Sequence, residues 1–285
     1  MAEKRIGIIG AASFVGERLR TLAEKDGYSI TAFSRQGEKG TVSLHAVHAD
    51  PVGKIENWIY LAPIWTLPGY FRFFEKHGGK RLVALSSTSR FTKTGSGSPS
   101  DRNLATRLQE GEEKVMEWAR VHGWTAVIFQ PTLIYGFGKD KNIAEIGRFI
   151  KRFGFFPLFG RGEGLRQPVH VDDVAGTCLS ALNIQEGKVC TYVLSGGEVI
   201  EYRTMVERIF TALGRRPRFI RCPLMVFAMA VRLANLLPPY KELTTEMAVR
   251  MNRDQHFDHS AAAADLGFKP RPFHPLPVDC AAGRK

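Results

Sequence analysis

The sequence predicts an α/β protein built on a parallel sheet, and two features of the chain predict it. The first is the stretch Lys4–Arg20, in which an apolar run (Ile6–Ile9), a turn of small residues and an amphipathic segment succeed one another as strand, turn and helix. The second is the repetition of this alternation along the chain, where short apolar runs are separated by segments with helical periodicity. Buried parallel strands are continuous apolar runs of this kind.

Composition agrees with a globular chain, since 44% of the 285 residues are hydrophobic. This length fits one large α/β domain, or a nucleotide domain with a smaller lobe. The 40 basic and 28 acidic residues give a formal charge of +12, which favours anionic partners such as phosphorylated cofactors and substrates. The charge is spread along the chain, and its densest patch, residues 215–218, lacks interleaved stacking aromatics. We therefore expect no nucleic acid.

The turn after the first strand spaces Gly10, Ser13 and Gly16 as the three small residues of a dinucleotide-binding loop. In such a loop the first glycine makes the turn, the second lets the backbone approach the pyrophosphate, and the third lets helix pack on strand. The helix N-terminus offers N–H groups to the phosphates. Here Ser13 replaces the middle glycine, so its Cβ narrows the approach while its hydroxyl can donate to a phosphate oxygen. An ordinary small-residue turn is the alternative interpretation.

The end of the second strand, Tyr28–Phe33, bears on the identity of the cofactor. NAD-binding chains place an acidic residue about 20 residues past the glycines, whereas an arginine suits the 2′-phosphate of NADP. This strand ends in Ser34 and Arg35 without an acidic residue, and a guanidinium matches a phosphate. NADP is therefore preferred over NAD, although Arg35 also fits a solvated turn. Asp50, after the third strand Val42–Val47, either holds the adenine amino group or starts a turn.

Polar residues follow two central strands. The fourth strand, Trp58–Ala62, leads into a loop that lies over the cofactor, and the fifth, Arg81–Leu85, is followed at once by four hydroxyl residues at 86–89. Open α/β sheets bind ligands at the carboxyl ends of their strands, although serine and threonine also simply end strands. A flexible loop over Arg90–Arg102, a long helix over Leu104–His122 and a sixth strand over 126–129 come next.

The second half predicts further helices and one strand. Helices are expected over Ile143–Phe153 and Tyr202–Leu213, and a strand over Thr191–Ser195. The most apolar helical segment, Pro223–Pro238, contains Arg232 and is too short to span a bilayer. It fits a core helix or a dimer face, and alternatively the wall of an apolar pocket or a segment lying on a membrane surface.

Cysteines and histidines point to no bound metal. The four cysteines, Cys178, Cys190, Cys222 and Cys280, show neither close pairing nor metal spacing. The pair His256 and His259 has no third ligand nearby in the sequence. Reduced thiols and an N-terminus without the apolar stretch of a signal peptide lead us to expect a cytoplasmic protein.

The order of these signals resembles the extended and atypical short-chain dehydrogenase/reductases, the group of the NAD-dependent epimerase/dehydratases. The motifs that carry the resemblance cover nearly the whole chain: GAASFVG at 10–16, YLA at 60–62, LSSTS at 85–89, GEE at 111–113, QPTLIYG at 130–136, GEGLRQPVHVDDVA at 162–175, YVLSGGE at 192–198 and DHSAAAADLGFKP at 258–270. The resemblance implies a doubly wound parallel Rossmann sheet with a smaller, interleaved C-terminal substrate lobe. It divides the chain into an NAD(P)-binding domain at 1–140 and a lobe at 141–285, of which about 165–195 returns to the sheet.

The resemblance also implies the residues of the site. Cofactor-binding positions are Gly10, Ala12, Ser13, Phe14, Val15, Gly16, Ser34, Arg35, Asp50, Leu61, Ala62, Ser86 and Pro131, and substrate-binding positions are Ser87, Thr88 and Arg166. Arg166 matches the arginine that nucleotide-sugar enzymes use for substrate phosphates, and pairing with a carboxylate is its alternative role. Asp172 and Asp173 look like a catalytic pair but better fit a helix cap, and His170 fits a structural histidine.

One departure concerns catalysis. The family uses a tyrosine and, four residues later, a lysine on the long helix, where the tyrosine exchanges a proton as hydride moves. If GEE marks the helix register, Leu104 and Leu108 occupy these two positions. A literal Tyr-x-x-x-Lys occurs at Tyr135–Lys139, but two glycines inside it mean that its side chains need not share a face. Thr88 and Tyr135 remain as candidate catalytic residues.

The favoured function is an NAD(P)-dependent oxidoreductase or epimerase-like enzyme acting on a small phosphorylated, nucleotide-sugar-like or partly apolar molecule. The alternative is a catalytically silent NADP-binding regulator, redox sensor or assembly subunit. In lacking an intact Tyr/Lys catalytic pair, the chain is similar to the reductase-like accessory subunit of respiratory complex I. We expect a small-molecule substrate and no transmembrane segment. A homodimer and contact with a membrane surface both stay open.

Overall fold

The computed structural model describes residues 4–34, 37, 40–43, 53–222, 249 and 251–280. The strands in this part of the chain are β1 (Arg5–Ile9), β2 (Ser29–Ser34), β3 (Val42–Ser43), β4 (Asn57–Tyr60), β5 (Arg81–Leu85), β6 (Thr125–Pro131), β7 (Ile134–Tyr135), β8 (Phe156–Phe159), β9 (Leu165–Arg166), β10 (Val169–His170), β11 (Val189–Leu194), β12 (Ile200–Glu201) and β13 (Phe219–Cys222). A seven-stranded parallel sheet in the order β11–β6–β5–β4–β1–β2–β3 forms the centre of the molecule.

Helices connect these strands. They are α1 (Phe14–Lys25), α2 (Phe71–Lys76), α3 (Ser89–Thr92), α4 (Pro99–Val121), α5 (Ile143–Phe153), α6 (Val171–Ser180), α7 (Tyr202–Ala212), α8 (Ser260–Leu266) and α9 (Pro277–Cys280), with 3₁₀ turns at Ile64–Tyr70 and Ala181–Asn183. In the described residues, no helix combines the length and the apolar character needed to cross a bilayer.

The order in which successive strands are added to the sheet reverses at β1. This strand pairs in parallel with β2 on one side and with β4 on the other. Ile8 stands opposite Ala32 of β2 and opposite Ile59 of β4. In doubly wound sheets, ligands bind outside the carboxyl ends of the strands at such a switch point. The topology therefore places the loop after β1 at the ligand-binding edge.

Both faces of the sheet are buried, which explains the continuous apolar run of β1. Ile6 and Ile8 belong to a core cluster with Leu19 of α1, which packs against α6. Ile9 belongs to the opposite cluster, together with Val115 of α4. Successive side chains of a strand point to opposite faces, so a strand covered on both sides is apolar at every position. The predicted doubly wound parallel sheet is confirmed.

The second half of the chain supplies a separate core and returns once to the sheet. Its cluster includes Ile150 of α5 and Phe210 of α7. Strand β11 pairs in parallel with the outer side of β6. Short strand pairs, β7 with β10, β8 with β13 and β9 with β12, lie outside the sheet. The domain boundary near residue 140 stays a prediction.

Two segments differ from the sequence-based expectations, and a third cannot be compared with them. The stretch predicted as a loop over Arg90–Arg102 contains α3 and the first turn of α4, which begins at Pro99 rather than at Leu104. Proline suits the first turn of a helix because its missing N–H has no partner there anyway. Strand β6 extends beyond its predicted end, to Pro131. The apolar segment Pro223–Pro238 lies outside the described residues.

Candidate cofactor and substrate site

The loop between β1 and α1 turns sharply at Gly10, whose φ of +83° is in the left-handed region that favours glycine. The N–H groups of Gly10 and Ala11 donate to the carbonyl of Phe33 at 3.1 and 3.2 Å, which ties the loop to the end of β2. A Cβ on Gly10 would also lie 3.0 Å from the main-chain nitrogen of Ala62. The loop therefore passes directly over the ends of the neighbouring strands.

Gly16 lets α1 pack against this loop. A Cβ at this position would lie 2.4 Å from the carbonyl oxygen of Gly10, a distance that side-chain carbons do not adopt. The first and last small residues of the motif thus have the turn and the close packing that the sequence assigned to them. Both features bring the N-terminus of α1 to the carboxyl end of β1.

Ser13, in the middle position, caps α1. Its Oγ accepts a hydrogen bond from the N–H of Gly16 at 3.1 Å, and its own N–H donates to the carbonyl of Gly10 at 2.9 Å. Because the hydroxyl accepts this bond, its proton is left for an acceptor outside the helix. The N–H groups at the first positions of a helix, here Phe14 and Val15, have no intrahelical partner. The loop therefore presents hydrogen-bond donors and the positive end of a helix dipole.

The remaining predicted cofactor residues differ in placement. Ala12 is exposed, whereas Val15 is buried against the core beneath α1. Ser34 is buried at the end of β2, where its Oγ is 2.6 Å from Oγ1 of Thr41 and accepts from the N–H of Gly37 at 3.0 Å. Arg35 and Asp50, on which the preference for NADP and the adenine contact depend, lie outside the described residues.

A cavity of about 320 Å³ opens at the carboxyl ends of β4, β5 and β6, and we call it the strand-end cavity. Its lining residues are Leu61, Ala62, Pro63, Ile64, Trp65, Leu85, Ser86, Ser87, Ser89, Leu104, Leu108, Pro131 and Ile134. Leu61, Ala62, Ser86 and Pro131 are predicted cofactor residues, and the cavity brings them together.

Helix α4 gives the strand-end cavity an aliphatic wall. Leu104 and Leu108, which the GEE motif is predicted to place in the register of the family's tyrosine and lysine, both line it. The sequence of α4 contains no tyrosine, and its one lysine is Lys114. Leucine side chains neither donate a proton nor stabilise a charge. Any proton transfer at this site must therefore involve a group outside these two positions.

Glu112 of α4 is the centre of a buried polar network beside this cavity. Its side chain is fully buried and receives hydrogen bonds from three elements. The hydroxyl of Ser86 donates to Oε1, while Nε2 of Gln130 (2.7 Å) and the guanidinium of Arg90 donate to Oε2. A buried carboxylate is tolerated when it is paired and hydrogen-bonded in this way. The network fixes the start of the segment after β5.

Sequence analysis missed the role of Glu112. The residue was part of a quoted motif, but its position in a helix gave no sign of burial, and its partners are 18 to 26 residues away in the chain. The usable signal was Gln130, a polar residue at the end of an otherwise apolar strand. The network also changes the role of Ser86, since its hydroxyl proton is directed at Glu112 rather than into the cavity.

A second cavity of about 680 Å³, the lobe cleft, lies between the 87–101 segment and the second half of the chain. It shares Ser87, Ser89 and Ile134 with the strand-end cavity, so the two adjoin. Its further lining residues are Phe14, Thr88, Thr92, Lys93, Ser96, Asp101, Thr132, Leu133, Lys139, Asp140, Lys141, Asn142, Arg166, Tyr202, Met251, Arg253, Asp254 and Gln255. All three predicted substrate residues, Ser87, Thr88 and Arg166, line this cleft.

Thr88 and Arg166 are both held by main-chain carbonyls. Oγ1 of Thr88 donates to the carbonyl of Pro131 at 3.1 Å, so the proton is used and the hydroxyl oxygen is left to accept a hydrogen bond. The Arg166 guanidinium donates to the carbonyls of Leu165 (2.6 Å) and Arg253 (2.8 Å), and it stacks 5.3 Å from the ring centre of Tyr202. Both residues have a fixed orientation in the cleft.

Tyr135 does not line either cavity. Its side chain is buried, with ring contacts to His170 and Phe273, and burial raises the pKa of its hydroxyl well above the usual range. Lys139 lies on the other side of a turn in which Phe137 has a φ of +50°, and it pairs with Glu17 of α1. The literal Tyr-x-x-x-Lys therefore has its two side chains in different surroundings. Thr88 lines the lobe cleft and Tyr135 does not, while the catalytic roles of both stay predictions.

The acidic pair after β10 joins α6 to α1 and to the segment around Arg271. Asp172 pairs with Arg18 of α1 at 2.7 Å, and Asp173 pairs with Arg271, also at 2.7 Å. His170 is buried and caps α6, since its Nδ1 accepts from the N–H of Asp172 at 3.2 Å. The expected helix cap at Asp172 and Asp173 is therefore wrong: His170 caps α6, and the two carboxylates lie in its first turn, where they form ion pairs. The expected structural role of His170 agrees with these contacts.

His256 and His259 show no metal geometry within the described part of the chain. Nδ1 of His259 is 2.7 Å from the hydroxyl of Ser195, and its ring packs edge-on against Phe268. Among the described residues, no three His, Cys, Asp or Glu side chains are grouped so as to hold a metal ion.

Comparison with known proteins agrees with this architecture. No family model matches the chain. A 99-residue stretch is 31% identical to the mitochondrial NADH dehydrogenase (ubiquinone) 1 alpha subcomplex subunit 9 of Arabidopsis thaliana, covering 34% of this chain and 24% of that protein. A 253-residue alignment, 89% of this chain and 70% of the relative, is 19% identical to UDP-glucose 4-epimerase of Vibrio cholerae. The chain spans only 24% to 50% of the length of the first four curated relatives it matches.

Solved structures match almost the whole chain. The structure of MoeE5 in complex with UDP-glucuronic acid and NAD superposes with a TM-score of 0.69 at 18% identity, covering 98% of this chain and 97% of that one. This chain has the fold of the epimerase/dehydratase group. The resemblance to the extended short-chain dehydrogenase/reductases that the sequence motifs carry is thereby confirmed at the level of the fold.

Proposed function

We propose that this protein binds NADP, in preference to NAD, across the carboxyl ends of β1 to β6 and uses it in oxidoreductase or epimerase-like chemistry. The observation that carries the proposal is the loop after β1. Gly10 and Gly16 bring a capped helix N-terminus to the switch point of the sheet, where the pyrophosphate of a dinucleotide binds. The strand-end cavity then receives the nicotinamide half. Arg35, after β2, is proposed to hold the 2′-phosphate.

The substrate is proposed to lie in the lobe cleft, next to the nicotinamide. When bound, the cofactor supplies or takes up the hydride. Thr88 offers a hydroxyl oxygen as an acceptor, and Ser87 lies at the junction of the two cavities. Leu104, Leu108 and Trp65 make the nearby wall apolar and exclude water. These features suit a small molecule with a partly apolar or phosphorylated body.

Binding of the dinucleotide is tested at Ser13. Ser13→Asp retains a good helix cap but places a carboxylate where the pyrophosphate binds, so NADPH affinity is expected to fall at least about tenfold. Ser13→Asn has nearly the same size and capping ability without the charge, and it serves as the matched control. Calorimetric titration with NADPH and NADH measures both the loss and the cofactor preference. Equal affinity in the two variants, or no binding by the wild type, contradicts the proposal.

A second candidate function is a catalytically silent NADP-binding sensor or assembly subunit. Two observations favour it: the aliphatic side chains of Leu104 and Leu108 at the predicted catalytic positions, and the similarity of a 99-residue stretch to a subunit of NADH dehydrogenase. Such a protein is expected to bind NADPH tightly without oxidising it in the presence of any carbonyl compound. Loss of NADPH absorbance upon addition of a carbonyl compound, absent in Thr88→Ala, decides for the enzyme.

A further inference from the structure

The lobe cleft contains an ion pair that is independent of the positions discussed so far. Nζ of Lys93 lies 2.8 Å from Oδ1 of Asp101, and the hydroxyl of Ser96 donates to Oδ2 at 3.1 Å. Both charged side chains line the cleft and are largely buried, with 20% and 10% of their surfaces exposed. A cation and a carboxylate held together at the wall of a substrate cleft are candidates for proton transfer.

The position of Asp101 on α4 relates this pair to the missing residues. Asp101, Leu104 and Leu108 are spaced three and four residues apart, so they follow one face of the helix. Along that face Leu104 and Leu108 line the strand-end cavity, and Asp101, one turn earlier, lines the lobe cleft. The ionisable residue on this face, Asp101, therefore lies one helical turn before Leu104, the first of the two predicted catalytic positions, and on the side of the lobe cleft.

Lys93 reaches the same place from the segment after β5. Its N–H donates to the carbonyl of Ser89 at 3.1 Å, so Lys93 lies one helical turn beyond Ser89 on the same side. Ser89 lines both cavities. The Arg90 guanidinium, anchored to buried Glu112, fixes this short helix. Lys93 is thereby placed near the junction where substrate and nicotinamide meet.

The other ionisable groups of the cleft have different tasks. Lys139 pairs with Glu17 of α1, Asp140 accepts from the N–H of Asn142 at 2.8 Å at the start of α5, and Asp254 accepts from the N–H of Leu165 at 2.9 Å. Lys141 is exposed, and burial raises the pKa of the Tyr202 hydroxyl well above its usual range. Arginine does not release its proton near neutral pH. Among the described residues, the Lys93–Asp101 pair is thus the best placed to exchange one.

We propose that Lys93, oriented by Asp101, is the proton donor to a carbonyl oxygen of the substrate; this inference rests on the proposed oxidoreductase function. When bound, the reduced nicotinamide supplies the hydride that adds to the carbonyl carbon and is itself oxidised. The electron pair of the C=O bond moves to the oxygen, which takes a proton from Nζ of Lys93, so that an alcohol forms. Water in the cleft returns a proton to the amine. Before transfer, the ammonium stabilises the negative charge that develops on the oxygen.

The test uses 4-nitrobenzaldehyde as the carbonyl probe and 4-nitrobenzoate as a stable anion with its oxygen in the same place. Loss of NADPH absorbance measures turnover, and calorimetry measures binding of the benzoate to the NADP-loaded protein. Lys93→Met is expected to lower turnover about 100-fold and to abolish benzoate binding, with NADPH affinity unchanged. Lys93→Arg retains the charge without a transferable proton, so it is expected to bind benzoate and still lose turnover.

Two further variants guard against trivial outcomes. Lys114→Met removes an exposed lysine from α4 and is expected to behave as the wild type. Asp101→Asn disrupts the pair without changing Lys93 and is expected to lower turnover about tenfold, which keeps the inference testable if Lys93→Met does not fold.

The possible results separate the two proposals. Wild-type turnover or benzoate binding in Lys93→Met overturns the assignment of Lys93. A wild-type protein that binds NADPH but neither reduces the aldehyde nor binds the benzoate also overturns it, while cofactor binding stands. A wild-type protein that does not bind NADPH overturns the proposed function itself.

Discussion

Nε2 of Gln130, at the end of β6, donates to the buried carboxylate of Glu112 on α4 at 2.7 Å. The same carboxylate holds Arg90 and Ser86, which follow β5. One side chain thus joins the ends of two central strands to the long helix beside the strand-end cavity. The segment from Ser86 to Lys93 lines both cavities, and its position depends on these hydrogen bonds to Glu112. Glu112 itself touches neither substrate nor cofactor in the proposed site.

Loss of the Glu112 charge is expected to destabilise the fold. Glu112→Gln leaves the guanidinium of Arg90 without its carboxylate in a largely buried place, and breaking such a pair from one side costs about 3 kcal/mol. Urea denaturation followed by circular dichroism measures the free energy of unfolding. Glu113→Gln changes the exposed neighbour and serves as the control, with an expected change within about 0.5 kcal/mol. Equal stability of the two variants contradicts the structural role of the network.

The close approach of α1 to the loop after β1 is expected to make Gly16 intolerant of any side chain. Gly16→Ala forces a methyl group against the carbonyl of Gly10, and overpacking of this kind lowers the free energy of unfolding by about 2 kcal/mol. Gly176→Ala is the matched control, because nothing lies within 4 Å of a Cβ there and alanine favours the interior of α6. That variant is expected to gain up to about 1 kcal/mol. Thermal melts of both variants test the difference in sign.

Asp279 is expected to give the protein part of its sensitivity to acid. Burial acts to raise the pKa of this carboxyl, but the His170 ring, whose Nε2 lies 3.9 Å from Oδ1, and hydrogen bonds from the N–H groups of Leu276 and Phe137 outweigh it, so the pKa is lowered. A lowered pKa in the folded state means that the stabilisation is present above the unfolded pKa of about 3.9 and is lost as the pH falls through the folded value.

Asp279→Asn tests this dependence. The variant is expected to be less stable than the wild type by about 2 kcal/mol at pH 7, and the gap is expected to close below about pH 4. Urea denaturation at a series of pH values measures it. Asp26→Asn, at the exposed end of α1, is the control. A gap that stays constant down to low pH shows that the charge of Asp279 is not the source of its stabilisation.

Thr88 is expected to affect turnover rather than cofactor binding. Its hydroxyl oxygen lines the lobe cleft while the proton is engaged by the carbonyl of Pro131. Thr88→Val keeps the shape and removes the acceptor, so turnover with 4-nitrobenzaldehyde is expected to fall about tenfold at unchanged NADPH affinity. Thr88→Ser restores the hydroxyl and is expected to restore most of the rate. A matched loss in both variants indicates packing rather than hydrogen bonding.

Much of the architecture was predictable because it depends on local pattern. The apolar run of β1, the small-residue turn and α1 follow one another within 20 residues, and α5 has the predicted bounds Ile143–Phe153. The sharp turn at Gly10 and the close packing of α1 at Gly16 were also predictable, since a left-handed turn and a close backbone contact each require glycine. Predictions were weaker where the chain had no periodicity, as in the segment that forms α3 and the start of α4.

The sequence by itself determined the alternation of strands and helices in the first half and the small-residue turn after β1, because the period of apolar residues and the conformational needs of glycine are properties of neighbouring positions. The doubly wound arrangement of the sheet came from the resemblance to a known family. Only the tertiary structure decided that Tyr135 is buried in the second core, that Glu112 joins three elements, and that Lys93 meets Asp101 in the lobe cleft. Such contacts depend on where separate elements pack, and no local pattern of residue types specifies which side chains then face one another.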